Sequence, residues 1–393
     1  MKFKLLLVLH YPPPIHGSSV IGCYIKESRL INSSFDCRFI NLGTSVSVDD
    51  IGRSSIKKLL RYLSIIWQVK KQMITQKPDL CYLTPTSVGS GFYKDALLIA
   101  IVKLFKVKTI FHYHNKGVNT RQEKFFDNLL YKFVFRKTHV ILLSKQLYPD
   151  VKKYVSDSRV FYCPNGIPDL KIFRLRTQST GLNEQGGCDE IQKERQTEGV
   201  KERNKDAYNN TQILFLSHLN YSKGVLILID ACEILRDRGV SFHCKIAGGD
   251  ADLTQKEVEG IIVEKGLASF IFVPGTIYGV AKAEMMQSAD IFVHPSYQDC
   301  MPLVLLEAMQ YSIPVVSTFE GAIPDVIEDG ITGFLVPQKD VVYLADKLEV
   351  LIKDPGLREK MGSAGREKYE REFTLEKFEK SMVEILEDVM VNQ

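Results

Sequence analysis

Short apolar runs alternate with longer amphipathic stretches along most of the chain. Six runs in the first half, at 3–9, 37–42, 80–84, 109–113, 140–143 and 160–163, mostly lack the every-second-residue alternation of a half-exposed strand. They predict strands buried on both faces. Helical patterns lie between them, around 18–31, 54–76, 91–106 and 121–136. Strand and helix in turn predict a doubly wound parallel sheet. The rhythm breaks over 171–210, where 177–210 is polar, glycine-bearing and charged at Lys193-Glu194-Arg195. Such a stretch buries too little apolar surface to order itself and predicts a linker or mobile insertion. The rhythm restarts with strands at 212–217, 242–247, 270–273, 291–294 and 315–318, and helices near 224–238, 254–265, 280–288, 302–311 and 340–353. The pattern therefore predicts two α/β domains, 1–170 and 211–373, with a last helix over 374–393 packing across both. In doubly wound domains ligands bind beyond the strand C-termini, so chemistry is expected in the loops that follow strands.

Composition adds little until it is divided. The 393 residues are 45% apolar and 25% charged, which describes an ordinary globular protein, and the net charge is only +4. Through Leu170, however, 26 basic residues face 11 acidic ones, a net of +15, and the remainder carries −11. That asymmetry points to an anionic surface near the first half, phospholipid or nucleic acid. The 53–74 stretch sharpens it toward lipid: Lys57, Lys58, Arg61, Lys70 and Lys71 flank Leu59, Leu60, Leu63 and the only tryptophan, Trp67. Interfacial helices have this pattern, and so do helices that face a core.

Eight cysteines show neither metal-ligand spacing nor the ladder of a secreted scaffold, and they read as free thiols in a reducing, cytoplasmic setting. The basic-then-apolar start runs into Tyr11-Pro12-Pro13-Pro14 and reads as a first strand rather than a leader. No apolar run approaches the length of a membrane span.

The strongest motif is His294-Pro295-Ser296-Tyr297-Gln298-Asp299-Cys300-Met301-Pro302-Leu303-Val304-Leu305-Leu306-Glu307. A strand ends at His294 and a helix opens near Pro302. The N–H groups of Cys300, Met301, Leu303 and Val304 then offer a positive helix end to a phosphate or sugar oxygen. Asp299 lies ahead of that end and Glu307 about two turns in, so two carboxylates are placed to hold hydroxyl pairs of one polar ligand. Lys223, in His218-Leu219-Asn220-Tyr221-Ser222-Lys223-Gly224, follows another strand and suits a leaving diphosphate. Gly17 follows the first strand, with Ser18 or Ser19 as the expected cap of the next helix. His112 and His114 end the fourth strand on one side; a third ligand of suitable spacing is missing, so no metal is assigned. Asp250-Ala251-Asp252 reads as a turn and helix cap.

The segment from His294 to Pro337, with Gly321-Ala322-Ile323-Pro324-Asp325 and Thr332-Gly333-Phe334-Leu335-Val336-Pro337, closely resembles the donor-binding segment of retaining family-four glycosyltransferases of the GT-B fold. Pro164-Asn165-Gly166 and Ala247-Gly248-Gly249-Asp250 resemble the family's domain entry and glycine-rich turn more weakly. The resemblance implies two Rossmann-like domains facing a cleft. It implies that Asp299 contacts donor-sugar hydroxyls, Glu307 the ribose diol, Lys223 and His218 the diphosphate, Gly17 the diphosphate through its backbone, and His114, with His112 as the alternative, the sugar. Three departures stand out: Asp299 replaces the family's glutamate, Pro302 a small glycine that would offer an N–H, and His218 its arginine. The expected function is retaining transfer of a sugar from a nucleotide diphosphate sugar to a saccharide or lipid-linked saccharide in surface polysaccharide synthesis. No cofactor, metal or nucleic acid is expected, and an anionic membrane surface is a candidate partner. A nucleotide-sugar epimerase and a catalytically silent membrane scaffold remain as alternatives.

Overall fold

The computed structural model describes residues 2–44, 56–169 and 210–391. The predicted linker, except Asn210, lies outside them, as does Arg53. The chain divides into two units, 1–168 with 374–393, and 169–373.

The first unit holds strands β1 (Lys4–Leu9), β2 (Asp36–Asn41), β3 (Leu80–Leu83), β4 (Lys108–Tyr113), β5 (His139–Leu142) and β6 (Val160–Tyr162). They form one sheet in the order β2-β1-β3-β4-β5-β6, and every pairing is parallel. Leu5 to Leu9 are buried on both faces, which explains the unalternating pattern. The chain leaves β1 in one direction, toward β2, and then returns past it to build β3 through β6 in the other. Right-handed crossovers therefore put α1 (Gly17–Glu27) and α2 (Arg29–Ser34) on one face. They put α3 (Ile56–Thr75), α4 (Gly89–Leu104) and α6 (Phe125–Val134) on the other, with the short α5 (Val118–Arg121) and α7 (Tyr148–Val151) in the loops after β4 and β5. Within that layer α4 packs against both α3 and α6.

The single helix expected over 18–31 is two, because Ser28 leaves helical geometry and its hydroxyl accepts the Ile31 N–H at 3.1 Å to start α2.

The second unit repeats the design with β7 (Thr211–Leu216), β8 (Phe242–Ala247), β9 (Ile271–Gly275), β10 (Ile291–His294), β11 (Val315–Thr318) and β12 (Gly333–Val336). The sheet order is β12-β11-β10-β7-β8-β9, again wholly parallel. Its helices are α8 (Val225–Asp237), α9 (Gln255–Glu264), α10 (Gly279–Ser288), α11 (Leu303–Gln310), α12 (Ile323–Val326), α13 (Val341–Lys353) and α14 (Pro355–Glu372). Phe215, Leu228, Val258, Val293 and Leu348 meet in its core. The last helix, α15 (Leu375–Val391), belongs to the first unit: it packs on α2, and Lys108 Nζ donates at 3.1 Å to the carbonyls of both Val389 and Met390 at its C-terminal end. A cation suits that negative end of the helix.

Cys37, Cys81, Cys163, Cys232, Cys244 and Cys300 are thiols outside any disulfide.

Candidate functional site

Each sheet has one place where the strand order reverses, and each reversal carries a cluster of polar side chains. In the second unit the reversal lies between β7 and β10, whose following loops diverge and leave a crevice. Lys223 arrives from the loop after β7, on a short 3-10 turn (Tyr221–Lys223). Gly224 then takes φ +80°, and a Cβ there would come within 2.2 Å of the Pro295 carbonyl oxygen, so glycine brings the two loops together. Tyr297 N–H donates to the Ser222 carbonyl at 2.9 Å, which fixes the same approach.

The result is a close pair. Lys223 Nζ donates to Asp299 Oδ2 at 2.6 Å and to the Gln298 carbonyl at 3.2 Å. His294, the buried last residue of β10, donates from Nε2 to the same Oδ2 at 3.0 Å. Glu320, just past β11, accepts the Asp299 N–H at 2.9 Å and a Gln338 amide proton at 2.8 Å. Burial alone would raise the Asp299 pKa, but the His294 hydrogen bond and the Lys223 charge overcome it and bring it down to about 2.

A carboxyl group that is more acidic folded than unfolded stabilises the fold above its unfolded pKa of roughly 4, and the contribution is lost as pH falls toward 2. Asp299→Asn is therefore expected to cost roughly 2 kcal/mol at pH 7, with the gap to wild type closing between pH 4 and pH 2. Urea melts across that range measure it, and a gap that stayed constant would contradict the assignment.

Helix α11 starts just beyond. Pro302 is its N-cap, with extended backbone at ψ 124°, rather than its first helical residue. Leu303 and Val304 are the first two helical residues, so their N–H groups point past the helix end; Leu305 N–H turns back to the Pro302 carbonyl at 3.2 Å. The Cys300 N–H is taken by Asp299 Oδ1 at 3.2 Å, which removes it from the predicted set of donors in this state. Met301 is buried beside it. Glu307 is the fifth residue of α11. Its Oε1 accepts from Lys282 Nζ of α10 at 2.8 Å, and its buried Oε2 has no partner among the described residues. That oxygen is an acceptor waiting for a donor. His218 is exposed in the loop after β7, its Nδ1 3.3 Å from where a Gly249 Cβ would stand. Asp250 Oδ1 accepts from Gln255 N–H and Asp252 Oδ2 from Tyr221 N–H, so this pair serves local turns, and the cap of α9 is Thr254.

In the first unit the reversal lies between β1 and β3, and a cavity of about 270 Å³ opens there. His10, His16, Ser18, Thr84, Thr86, His114 and Asn115 are among its walls. The helix above it starts at Gly17, but the cap is His16 and not Ser18 or Ser19: its Nδ1 accepts the Ser19 N–H at 3.3 Å, and Ser19 Oγ accepts the His16 N–H at 2.9 Å. An imidazole nitrogen does here what a serine oxygen usually does. A Cβ on Gly17 would meet nothing, so the protein's own packing does not demand glycine there. His114 lines the cavity, whereas His112 is wholly buried beneath it, 4.2 Å away ring to ring, with Nδ1 2.7 Å from the Tyr82 hydroxyl. Burial, then neighbouring His16, Lys94 and His114, lowers the His10 pKa to about 3. Burial and His16 lower that of His114 to about 4, partly opposed by the Asn165 side chain. Neutral imidazoles and hydroxyls make this wall a partner for uncharged hydroxyl groups.

Sequence reading had singled out Lys223, Asp299 and Glu307 but not the groups that hold them, His294, Lys282 and Glu320, nor His10 and His16 on the cavity wall. His294 and Glu320 do follow a rule that could have found them, since each sits at or just after a strand C-terminus beside the reversal.

These two sheets, with both polar clusters at the C-terminal ends of their strands, make a GT-B fold. The family model for Glycosyl transferases group 1 matches residues 196–368, so the second unit carries a group 1 glycosyl transferase domain. In sequence the chain is 29% identical over 185 residues to the putative colanic acid biosynthesis glycosyltransferase WcaL of Salmonella typhimurium, a match covering 45% of each protein. The matched stretch thus spans less than half the length of that relative. In structure it is similar to a glycosyltransferase from Rickettsia africae, with a TM-score of 0.71, 17% identity and full coverage of both chains. It is also similar to HepE of Anabaena, solved with UDP and glucose, with a TM-score of 0.68 and 17% identity over 98% of this chain and 99% of that one.

Proposed function

We propose that the protein is a retaining glycosyltransferase that moves a sugar from a nucleotide diphosphate sugar to a hydroxyl of a saccharide or lipid-linked saccharide in polysaccharide synthesis. The observation that carries the reading is the meeting of Lys223 and Asp299 at the reversal of the second sheet, just ahead of the free N–H groups of α11. The group 1 domain match supports the reaction class, the UDP and glucose of HepE support the donor class, and the colanic acid role named for WcaL supports the product class.

In this reading Glu307 Oε2 accepts from the ribose diol, and Asp299 accepts from a donor-sugar hydroxyl. As the glycosidic bond lengthens, negative charge grows on the diphosphate. Lys223, the Leu303 and Val304 N–H groups and His218 stabilise it, and this differential stabilisation is the source of rate. The acceptor hydroxyl attacks the sugar on the face that the diphosphate leaves, and a phosphate oxygen takes its proton. The new bond then has the configuration of the old one. The charge balance is assigned to these groups rather than to a metal ion. The neutral cavity around His10 and His114 is assigned to sugar hydroxyls.

The product tests the reading. An α-linked donor should give an α-linked product, seen in the anomeric proton coupling by NMR. A β-linked product, or donor turnover that needs no acceptor, would overturn it.

A further inference from the structure

We propose that the outer surface of the α3–α4–α6 layer docks on an anionic lipid bilayer, lying in the headgroup region without crossing it. This goes beyond the proposed reaction and does not depend on it.

The three helices cover one face of the first sheet side by side, so their outward side chains share one surface. That surface is apolar where solvent should favour polar groups. Trp67 of α3 is 61% exposed, and Phe125 and Phe126 at the start of α6 are 75% and 79% exposed. Leu60, Leu97 and Leu129 extend the patch across all three helices. On the opposite layer of α1, α2 and α15, the exposed large apolar side chains come down, among the described residues, to Val391. Apolar exposure is thus concentrated on one side of the unit, as at an interaction surface.

Charge says what covers it. Lys57, Arg61, Lys70, Lys71 and Lys132 on these helices are exposed. The only two acidic residues on α3, α4 and α6 are Asp95 and Asp127, and both are buried. Asp95 accepts the Thr86 N–H at 2.8 Å. Asp127 accepts from Arg121 Nε at 2.8 Å and from the Tyr93 hydroxyl at 2.5 Å. On α3, α4 and α6 themselves no carboxylate faces outward, and the exposed Glu123 just ahead of α6 is paired with Lys153 Nζ at 3.1 Å, so the field there is mainly positive, in keeping with the +15 of the first 170 residues. Lys71 Nζ lies 5.2 Å over the Trp67 ring, an aromatic beside a cation of the kind that sits at the headgroup level. A bilayer of anionic headgroups above acyl chains matches both the exposed apolar side chains and the excess of exposed cations at once. None of the described helices is long and apolar enough to span a membrane, so the contact is parallel to the surface.

The test is flotation of the full chain with vesicles of phosphatidylcholine containing about 30% phosphatidylglycerol, against phosphatidylcholine alone. Binding is expected to the anionic vesicles only, falling as salt rises and by roughly fivefold for each cation removed in Lys57→Gln, Lys70→Gln and Lys71→Gln. Phe125→Ser with Phe126→Ser should abolish it while leaving the melting temperature, and sugar transfer to a water-soluble acceptor, as in wild type. A protein that stays in the aqueous fraction at low salt, or variants that float like wild type, would overturn the proposal. So would a dimer in solution that the double phenylalanine variant makes monomeric, since a second copy would then own the patch.

Discussion

Lys223→Ala is expected to lower kcat for sugar transfer by about 10²- to 10³-fold, the usual loss when one charge-stabilising donor is removed from a reacting centre. In the unliganded protein the ammonium is held by Asp299 Oδ2 at 2.6 Å and the Gln298 carbonyl at 3.2 Å, so its position is set before any ligand arrives. A group placed in advance needs no rearrangement as charge develops on the leaving diphosphate. Asp299 keeps the His294 hydrogen bond in the variant, so the loop should stay folded; the melting temperature should fall somewhat with the lost Lys223–Asp299 attraction, and the larger loss should appear in kcat. Lys223→Arg should recover only part of the rate, because a planar guanidinium cannot replace a point charge held between a carboxylate and a carbonyl. Steady-state kinetics with saturating donor decide it. A kcat within tenfold of wild type would remove Lys223 from the reacting centre.

Glu307→Ala is expected to raise the donor KM by about 10- to 150-fold with a smaller change in kcat, corresponding to one lost hydrogen bond to a charged acceptor. Lys282 occupies Oε1 at 2.8 Å, which leaves the buried Oε2 as the free acceptor. Ribose hydroxyls stay far from the bond that breaks, so their loss weakens ground state and transition state alike. Glu307→Gln keeps an acceptor oxygen but loses the charge, and should fall between wild type and alanine. A drop in kcat at unchanged KM would place Glu307 at the chemistry instead.

Both sheets were legible in the sequence because their strands are buried on both faces and therefore read as continuous apolar runs. Besides short helices such as α7 and α12, two elements escaped for physical reasons. Strand β12 is four residues that open on Gly333, and its last three, Phe334-Leu335-Val336, are too short a run to separate from a loop motif. Helix α14 spans eighteen residues but has a hydrophilic sequence, and part of the face it buries is backbone: a Cβ on Gly362 would stand 2.0 Å from the Ser312 carbonyl oxygen. Close packing through glycine leaves no apolar stripe to detect. Within the candidate site, Asp299 and Glu307 were legible because they lie in the motif that carries the family resemblance, and Lys223 because it follows another strand. The supports of the site were not. Lys282 reaches Glu307 from twenty-five residues away, and Glu320 reaches Asp299 from twenty-one, so only the fold brings them together. Strand alternation placed His112 and His114 on one side, yet β4 ends at Tyr113; only the histidine beyond the strand lines the cavity.

The central claim is that the reversal of the second sheet holds a nucleotide diphosphate sugar. Thermal melts of wild type, Lys223→Ala and Glu307→Ala with UDP-, GDP- and ADP-sugars test it most directly, because a ligand bound only by the folded state stabilises it by mass action. At a hundredfold excess over Kd one base should raise the wild-type melting temperature by roughly 5–10 °C; Glu307→Ala should lose most of that shift, and Lys223→Ala should keep the larger part of it. No shift with any of the three at millimolar concentration, or a full shift in Glu307→Ala, would contradict the account.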